Sequence, residues 1–169
     1  KASAYTAETL GNIVGPSKAQ DAELANRPPP TSVDETIRRI EEDLVQRQYF
    51  FSGDVDVNIY EDQCLYADPF TAFRGRDRFV NNLSNLSTFV SKYKAEVLSY
   101  EQTGNQVQST LAVQLEVNLP WKPILAWNWG VRYDIDPNTY LVTDHIETWD
   151  VEAAEGIAQI FRKPTTTMQ

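Results

Sequence analysis

The spacing of apolar residues predicts a helix immediately after a run of prolines. Beyond Pro30, apolar side chains recur at the three- and four-residue spacing that places them on one helical face: Val33, Ile37, Ile40 and Leu44. Ser32 and Glu35 stand at the spacing of a capping box, so the helix is expected to begin here. The charged residues between the apolar positions are predicted to form its solvent-facing side: Glu35, Arg38, Arg39, Glu41, Glu42 and Asp43.

The same reasoning predicts a second helix and then a series of strands. The second helix is expected after Gly75, where another apolar stripe follows one face: Phe79, Val80, Leu83, Leu86, Phe89 and Val90. Over residues 97–135 apolar and polar residues alternate, which is the period of strands with one buried face. A last strand is predicted over residues 140–151 and a short closing helix over residues 152–161.

This order of elements predicts the fold class. Helices followed by a long meander indicate an α+β domain, in which a strongly curved antiparallel sheet packs against two or three N-terminal helices. We place this domain at residues 32–162. Residues 1–31, which end in Arg27, Pro28, Pro29 and Pro30, show no sustained period and are predicted to form an extended arm. Residues 163–169 are predicted to be a C-terminal tail.

Composition and charge argue against several classes of function. With 24 acidic and 15 basic residues, the formal net charge is -9, which opposes binding to nucleic acid. No apolar run reaches the roughly 18 residues needed to span a bilayer. Cys64 and His145 are the only residues of their types, so zinc has no cluster, and the acidic residues lack calcium-loop spacing. We therefore predict no metal, no cofactor and a reducing compartment.

Two segments together resemble a known superfamily. Residues 60–70 (YEDQCLYADPF) and 73–79 (FRGRDRF) place an acidic strand and an Asp-Pro turn before a glycine-led helix. This arrangement resembles the nuclear-transport-factor-2-like, or SnoaL-like, superfamily. Three further features are similar to an uncharacterised branch of it that is typical of cyanobacteria and plastids: Pro120-Trp121, Tyr133-Asp134-Ile135-Asp136 and Asp144-His145-Ile146-Glu147.

The resemblance implies a cone-shaped sheet whose mouth either holds an apolar ligand or is filled by side chains. It also implies a plastid location, in the stroma or on the stromal side of a thylakoid. Our first hypothesis is a non-catalytic accessory subunit that docks on a protein partner, such as a photosynthetic membrane complex or a second copy, through Arg27, Pro28, Pro29 and Pro30. The alternative is a metal-independent dehydratase, isomerase or cyclase that acts on a small apolar ligand.

Two residues are candidates for proton transfer if the chain is an enzyme. His145 is suited to exchange protons near neutral pH, and Asp68 is its acidic counterpart by resemblance to enzymes with such a group inside the cone. Five aromatic residues are candidates for an apolar ligand pocket: Tyr66, Trp127, Trp129, Tyr133 and Trp149. Aromatic rings also fill cores, and a lone histidine also serves as a structural hydrogen-bonding group, so both interpretations stay open here.

Overall fold

One curved sheet organises the molecule. The computed structural model describes residues 9–11 and 24–164. Within these residues, seven strands form a single sheet in the spatial order β1-β4-β5-β6-β7-β2-β3. The strands are β1 (Thr9–Gly11), β2 (Tyr60–Ala67), β3 (Ala72–Arg74), β4 (Val90–Thr103), β5 (Gln106–Val117), β6 (Ile124–Ile135) and β7 (Val142–Trp149). The predicted meander is confirmed, because β4 to β7 are neighbours in chain order.

Helices pack against several strands of this sheet. The helices that position the site are α1 (Val33–Glu41), α2 (Tyr49–Ser52), α3 (Arg76–Phe89) and α4 (Ala153–Phe161). A π-helical segment, Glu42–Arg47, joins α1 to α2. The predicted α+β class, with a curved sheet and N-terminal helices, is confirmed. The separate short helix α2 was not predicted, since it has too few residues to show a period.

One strand pairing differs from the antiparallel arrangement that the meander predicts. β2 pairs with β7 in parallel, with Tyr66 beside His145, whereas the other pairings are antiparallel. The alternation within a strand reports which face is buried and does not report which strand lies alongside. The parallel pairing therefore could not be predicted, although it brings together two candidate site residues.

The predicted start of α1 is confirmed by its capping bonds. Ser32 Oγ accepts the backbone N–H of Glu35 at 3.1 Å. The Glu35 carboxylate accepts from the backbone N–H and the hydroxyl of Thr31, both at 2.8 Å, and not from Ser32. These bonds lower the pKa of the Glu35 carboxyl. The helix therefore begins at a fixed point on the chain.

The predicted solvent-facing side of α1 is wrong at Arg39 and Asp43. Their exposed fractions are 0% and 1%. Arg39 donates from Nε to Asp56 Oδ2 at 2.8 Å and from Nη1 to the Pro28 carbonyl at 2.9 Å. Asp43 accepts the backbone N–H of Asp56 at 3.0 Å. Both side chains face inward because Asp56, itself fully buried, supplies partners from outside the helix.

The end of the predicted arm packs against this buried ion network. Arg27 Nη1 lies 3.0 Å from Glu42 Oε2 and 3.1 Å from Asp56 Oδ2. Pro30, just before α1, is buried. The residues of the arm nearest the domain are therefore held by contacts within the chain itself.

Much of the two predicted tails lies outside the described residues, namely 1–8, 12–23 and 165–169. Of the described part of the arm, β1 extends the sheet beyond β4, with Thr9 opposite Ala95.

Asp43 makes the stability of this network depend on pH. Burial raises the pKa of its carboxyl to about 7, against the opposing effect of Arg47. A folded-state pKa above the unfolded value means that the folded state binds the proton more tightly, so stability falls as pH rises from about 4 to about 7. Between pH 5 and 8 we expect the free energy of unfolding of wild type to fall by about 2–3 kcal/mol relative to that of Asp43→Asn, measured by urea unfolding at each pH. A difference that is constant with pH would contradict this assignment.

Candidate functional site

A cavity of about 240 Å³ lies between helix α3 and the strands β2, β6 and β7. We call it the His145 cavity. Five aromatic residues contribute to its wall: Tyr66, Phe73, Phe79, Trp129 and Trp149. Four polar residues also line it: Asp68, Asn82, His145 and Glu147. An apolar cavity with a few polar groups is the usual composition of a small-molecule site.

The two-residue period of β7 supplies three of these lining residues. His145, Glu147 and Trp149 share the face of β7 that borders the cavity. On the neighbouring strand β6, Tyr133 pairs with His145 and Trp129 pairs with Trp149. Three adjacent strands therefore build the floor of the cavity from side chains that are distant in the sequence.

His145 is held from one of its two ring nitrogens. Its exposed fraction is 1%. Nε2 lies 3.3 Å from Glu147 Oε1 and 3.4 Å from the Tyr49 hydroxyl. Nδ1 is buried and has no hydrogen-bond partner among the described residues. Both Nε2 contacts are long for hydrogen bonds.

These contacts assign different roles to the two nitrogens. In a neutral imidazole one nitrogen donates and the other accepts. A carboxylate only accepts, so Glu147 favours the tautomer that carries the proton on Nε2. Nδ1 then has the lone pair, and this buried atom has no partner among the described residues.

Tyr49 contacts the same nitrogen of the histidine ring as Glu147 does. Its hydroxyl lies 2.9 Å from the hydroxyl of Tyr133, and both side chains are fully buried. Burial raises the pKa of Tyr49 and of Tyr133 well above the ordinary value, so both phenols keep their protons. Gln48 and Gly53, on either side of α2, have left-handed backbones that set the direction of this short helix.

Asp68 lines the same cavity as His145, but its carboxylate also shapes a turn. Oδ1 accepts the backbone N–H of Phe70 at 2.7 Å and that of Thr71 at 2.9 Å. This turn places the exposed ring of Phe70 edge-on to Trp149, with centroids 5.2 Å apart. Asp68 therefore lies at the rim of the cavity, whereas Glu147 contacts His145 on the floor.

Of the five aromatic residues predicted to line a pocket, Tyr66, Trp129 and Trp149 line the His145 cavity. Tyr133 lies beneath the floor and bonds Tyr49. Trp127 packs on Trp149 at 5.1 Å between centroids and borders a second groove of about 480 Å³, among mostly polar residues. The five residues therefore lie in one region of the structure, but only three of them line the His145 cavity.

The indole N–H groups of Trp129 and Trp149 are buried and have no acceptor among the described residues. A buried donor without an acceptor costs about 1–3 kcal/mol. In contrast, the indole of Trp121, outside the cavity, donates to the Ile160 carbonyl at 2.7 Å. Both residues line the His145 cavity, so its wall includes two residues with unpaired indole donors.

Sequence reasoning missed Glu147 and Tyr49 as site residues. A signal for Glu147 was present, because it stands two residues from His145 and strand alternation puts both on one face. Tyr49 gave no such signal, since it meets His145 across 96 positions of sequence.

Other chemistry finds little support in the described residues. Burial raises the pKa of the Cys64 thiol to about 12, which makes it a poor nucleophile. Among residues 24–164 no three metal-ligating side chains come together. None of the helices in the described part of the chain is long and apolar enough to cross a bilayer.

The fold and its cavity define a cone-shaped α+β protein of the nuclear-transport-factor-2-like, or SnoaL-like, class. Residues 34–145 match the family model described as an uncharacterised conserved protein, DUF2358, and the chain belongs to that family. The predicted cone-shaped fold of the nuclear-transport-factor-2-like kind is confirmed, whereas the cyanobacterial and plastid branch stays a prediction. No curated protein matches the chain.

Solved structures share the fold at low sequence identity. A protein from Jannaschia sp. CCS1, described as a SnoaL-like polyketide cyclase, is 9% identical over 82% of this chain and 99% of that chain, with a TM-score of 0.64. An LEH-like epoxide hydrolase of M. tuberculosis is 16% identical, over 79% and 94%, with a TM-score of 0.57. A protein with a ketosteroid isomerase-like fold from Catenulispora acidiphila DSM 44928, in complex with trimethylamine, is 10% identical, over 70% of this chain and 91% of that chain, with a TM-score of 0.56.

Proposed function

We propose that this chain binds a small, largely apolar ligand in the His145 cavity and exchanges a proton with it at His145 Nδ1. The observation that carries the proposal is the His145–Glu147 pair on the floor of an aromatic cavity, with Nδ1 unpartnered. This chemistry belongs to the isomerase, cyclase and dehydratase kinds. It favours the second of the two hypotheses drawn from the sequence, since the interior is not filled by side chains.

In this proposal the aromatic residues of the cavity bind the ligand, and His145 with its neighbours transfers the proton. The aromatic walls remove water from the ligand, which strengthens polar contacts inside the cavity. Glu147 holds the imidazole ring in one tautomer and stabilises the imidazolium that forms when Nδ1 takes a proton. Tyr49 keeps the ring from turning, because its hydroxyl is fixed by Tyr133. A general base placed in this way contributes roughly 100- to 10,000-fold to a rate.

The size of the cavity limits the ligand. A dry apolar cavity of about 150 Å³ holds benzene, and pockets for drug-sized molecules begin at about 300 Å³. At about 240 Å³ the His145 cavity suits a molecule of one ring or of similar bulk. Structural relatives described as a polyketide cyclase and as an epoxide hydrolase, and one solved with trimethylamine, are consistent with small-molecule chemistry in this fold.

Phenol is a suitable first probe, because it has one ring and a hydroxyl that can donate to Nδ1. We expect phenol to shift the indole NMR signals of Trp129 and Trp149 and the Nδ1 signal of His145, at millimolar affinity. His145→Gln should weaken this binding several-fold, whereas Thr148→Ala, on the opposite face of β7, should not change it. For a substrate identified later, His145→Gln should lower kcat by about 100-fold or more. If phenol and other one-ring probes leave these signals unmoved, the proposal is wrong.

Docking on a protein partner is a second candidate function, favoured by the exposed apolar side of α4. Ile157 and Phe161 stand one helical turn apart and have exposed fractions of 55% and 73%. Such a surface is consistent with an accessory subunit at the soluble side of a plastid membrane complex, the location that the sequence resemblance implies. In native extract, the protein would then fractionate at higher mass than the purified chain, and Ile157→Lys with Phe161→Lys would abolish this. Unchanged fractionation of that double variant would argue against docking through α4.

A further inference from the structure

The charged side chains that line the His145 cavity are all acidic. Asp68 lies at the rim and Glu147 on the floor, and no lysine or arginine is among the described residues that line it. Two carboxyl groups and one imidazole line the cavity, so acidic groups outnumber basic ones there. The chain as a whole adds to this field, since its formal net charge is -9. An anionic ligand is therefore disfavoured, and a cationic one is favoured.

The aromatic walls favour the same sign of charge. The face of an aromatic ring carries partial negative charge, so it attracts cations. Phe73 already shows this behaviour, because the guanidinium of Arg78 lies 4.4 Å from its ring centroid. Tyr66 stacks between Phe73 and Phe79, with centroid distances of 5.7 and 3.9 Å, so these rings form one continuous wall.

The two carboxylates are fixed in place before a ligand arrives. The turn N–H groups of Phe70 and Thr71 hold Asp68, and His145 Nε2 holds Glu147. A cation moved from water into an apolar cavity loses much hydration energy unless opposite charges meet it. Asp68 and Glu147 supply such opposite charges without having to move. The cavity therefore favours binding of a cation whose body is apolar.

We propose that the ligand of the His145 cavity is a small organic cation, an ammonium with an apolar body and an oxygen that can accept from the Trp129 or Trp149 indole. This inference rests on the proposed ligand-binding function and adds the chemical class of the ligand. It follows from the combination of aromatic walls, two acidic lining groups and two unpaired indole donors in one cavity.

The test compares choline with 3,3-dimethylbutan-1-ol, its neutral isostere, in which carbon replaces the charged nitrogen. Binding is followed by the indole NMR signals of Trp129 and Trp149, with Trp121, bonded outside the cavity to Ile160, as the internal reference. We expect choline to bind at least about tenfold more tightly than the neutral alcohol, and this preference to shrink at high salt.

Two variants assign the preference to the carboxylates. Asp68→Asn should weaken choline binding by about fivefold or more and leave the alcohol within about twofold, and Glu147→Gln should weaken choline binding by a larger factor than it weakens binding of the alcohol. Asp136→Asn is the matched control for Asp68→Asn, because Asp136 Oδ1 accepts the N–H groups of Asn138 and Thr139 in an equivalent turn outside the cavity. Thermal unfolding checks that each variant is folded.

The outcomes separate this inference from the proposed function. Equal affinity for choline and the alcohol, or tighter binding of the alcohol, overturns the inference of a cationic ligand. The proposed ligand-binding function then still stands. If phenol binds and choline does not, the inference of a cationic ligand is likewise overturned, and the ligand-binding function stands. If phenol, choline and the alcohol all fail to move the Trp129 and Trp149 signals, the ligand-binding function fails together with the inference.

Discussion

Replacing Phe50 by alanine is expected to lower the free energy of unfolding by about 3–5 kcal/mol. Phe50 is 1% exposed and lies on α2, and its ring is 3.9 Å from the rings of both Tyr49 and Trp129, measured between centroids. It is therefore one of the contacts that join the short helix to the sheet beneath the cavity. Truncation removes that contact and leaves a void that the surrounding rings cannot fill.

Phe89→Ala is the matched control, because Phe89 has an exposed fraction of 63% at the end of α3. Its loss should change stability by less than about 0.5 kcal/mol. Urea unfolding of both variants and of wild type measures the difference. If Phe50→Ala were as stable as Phe89→Ala, α2 would not be anchored on the sheet through Phe50.

Arg39→Leu is expected to destabilise the protein by about 3 kcal/mol. The change removes the bonds from Arg39 to Asp56 and to the Pro28 carbonyl, and it leaves a fully buried carboxylate with a weaker partner in Arg27. The loss falls at the lower end of the range for broken buried ion pairs because Arg27 remains, 3.1 Å from Asp56.

The neighbouring Arg38 provides the comparison for this prediction. Its side chain is 55% exposed and pairs with Glu42 one helical turn away. Arg38→Leu should cost less than about 1 kcal/mol, as is usual for surface ion pairs. Protease cleavage between residues 24 and 31 gives a second readout, because Arg39→Leu releases the Pro28 carbonyl while Arg38→Leu does not. Equal unfolding energies for the two variants would contradict the buried network.

Local sequence signals were sufficient to predict most of the fold. The cap at Ser32 and the alternation along β6 depend on residues near each other in the chain, so the sequence pattern reports them directly. Arg39 and Asp43 were assigned to the wrong face because charge alone suggests solvent. Their partner Asp56 lies at least 13 positions away in the sequence, and helical period contains no information about it.

The candidate site was predictable only in part, for the same reason. The superfamily resemblance and the two-residue period indicated His145, Asp68 and several of the aromatic residues. The division of roles depends on contacts between distant segments, such as Tyr49 with His145, and on the parallel pairing of β2 with β7. These contacts show that Glu147, and not Asp68, is the acidic group in contact with the histidine.

The first half of β6 continues beyond the end of β7, and side chains occupy its open edge. The Gln159 amide accepts from the Ala126 N–H at 2.9 Å and donates to the Ala126 carbonyl at 3.3 Å. Asp150 Oδ1 accepts a hydrogen bond from the backbone N–H of Asn128 at 2.6 Å. An incoming β-strand would have to displace both groups to add to the sheet here. At high concentration this edge should therefore resist strand-to-strand aggregation, and a chain truncated before Gln159 should precipitate more readily.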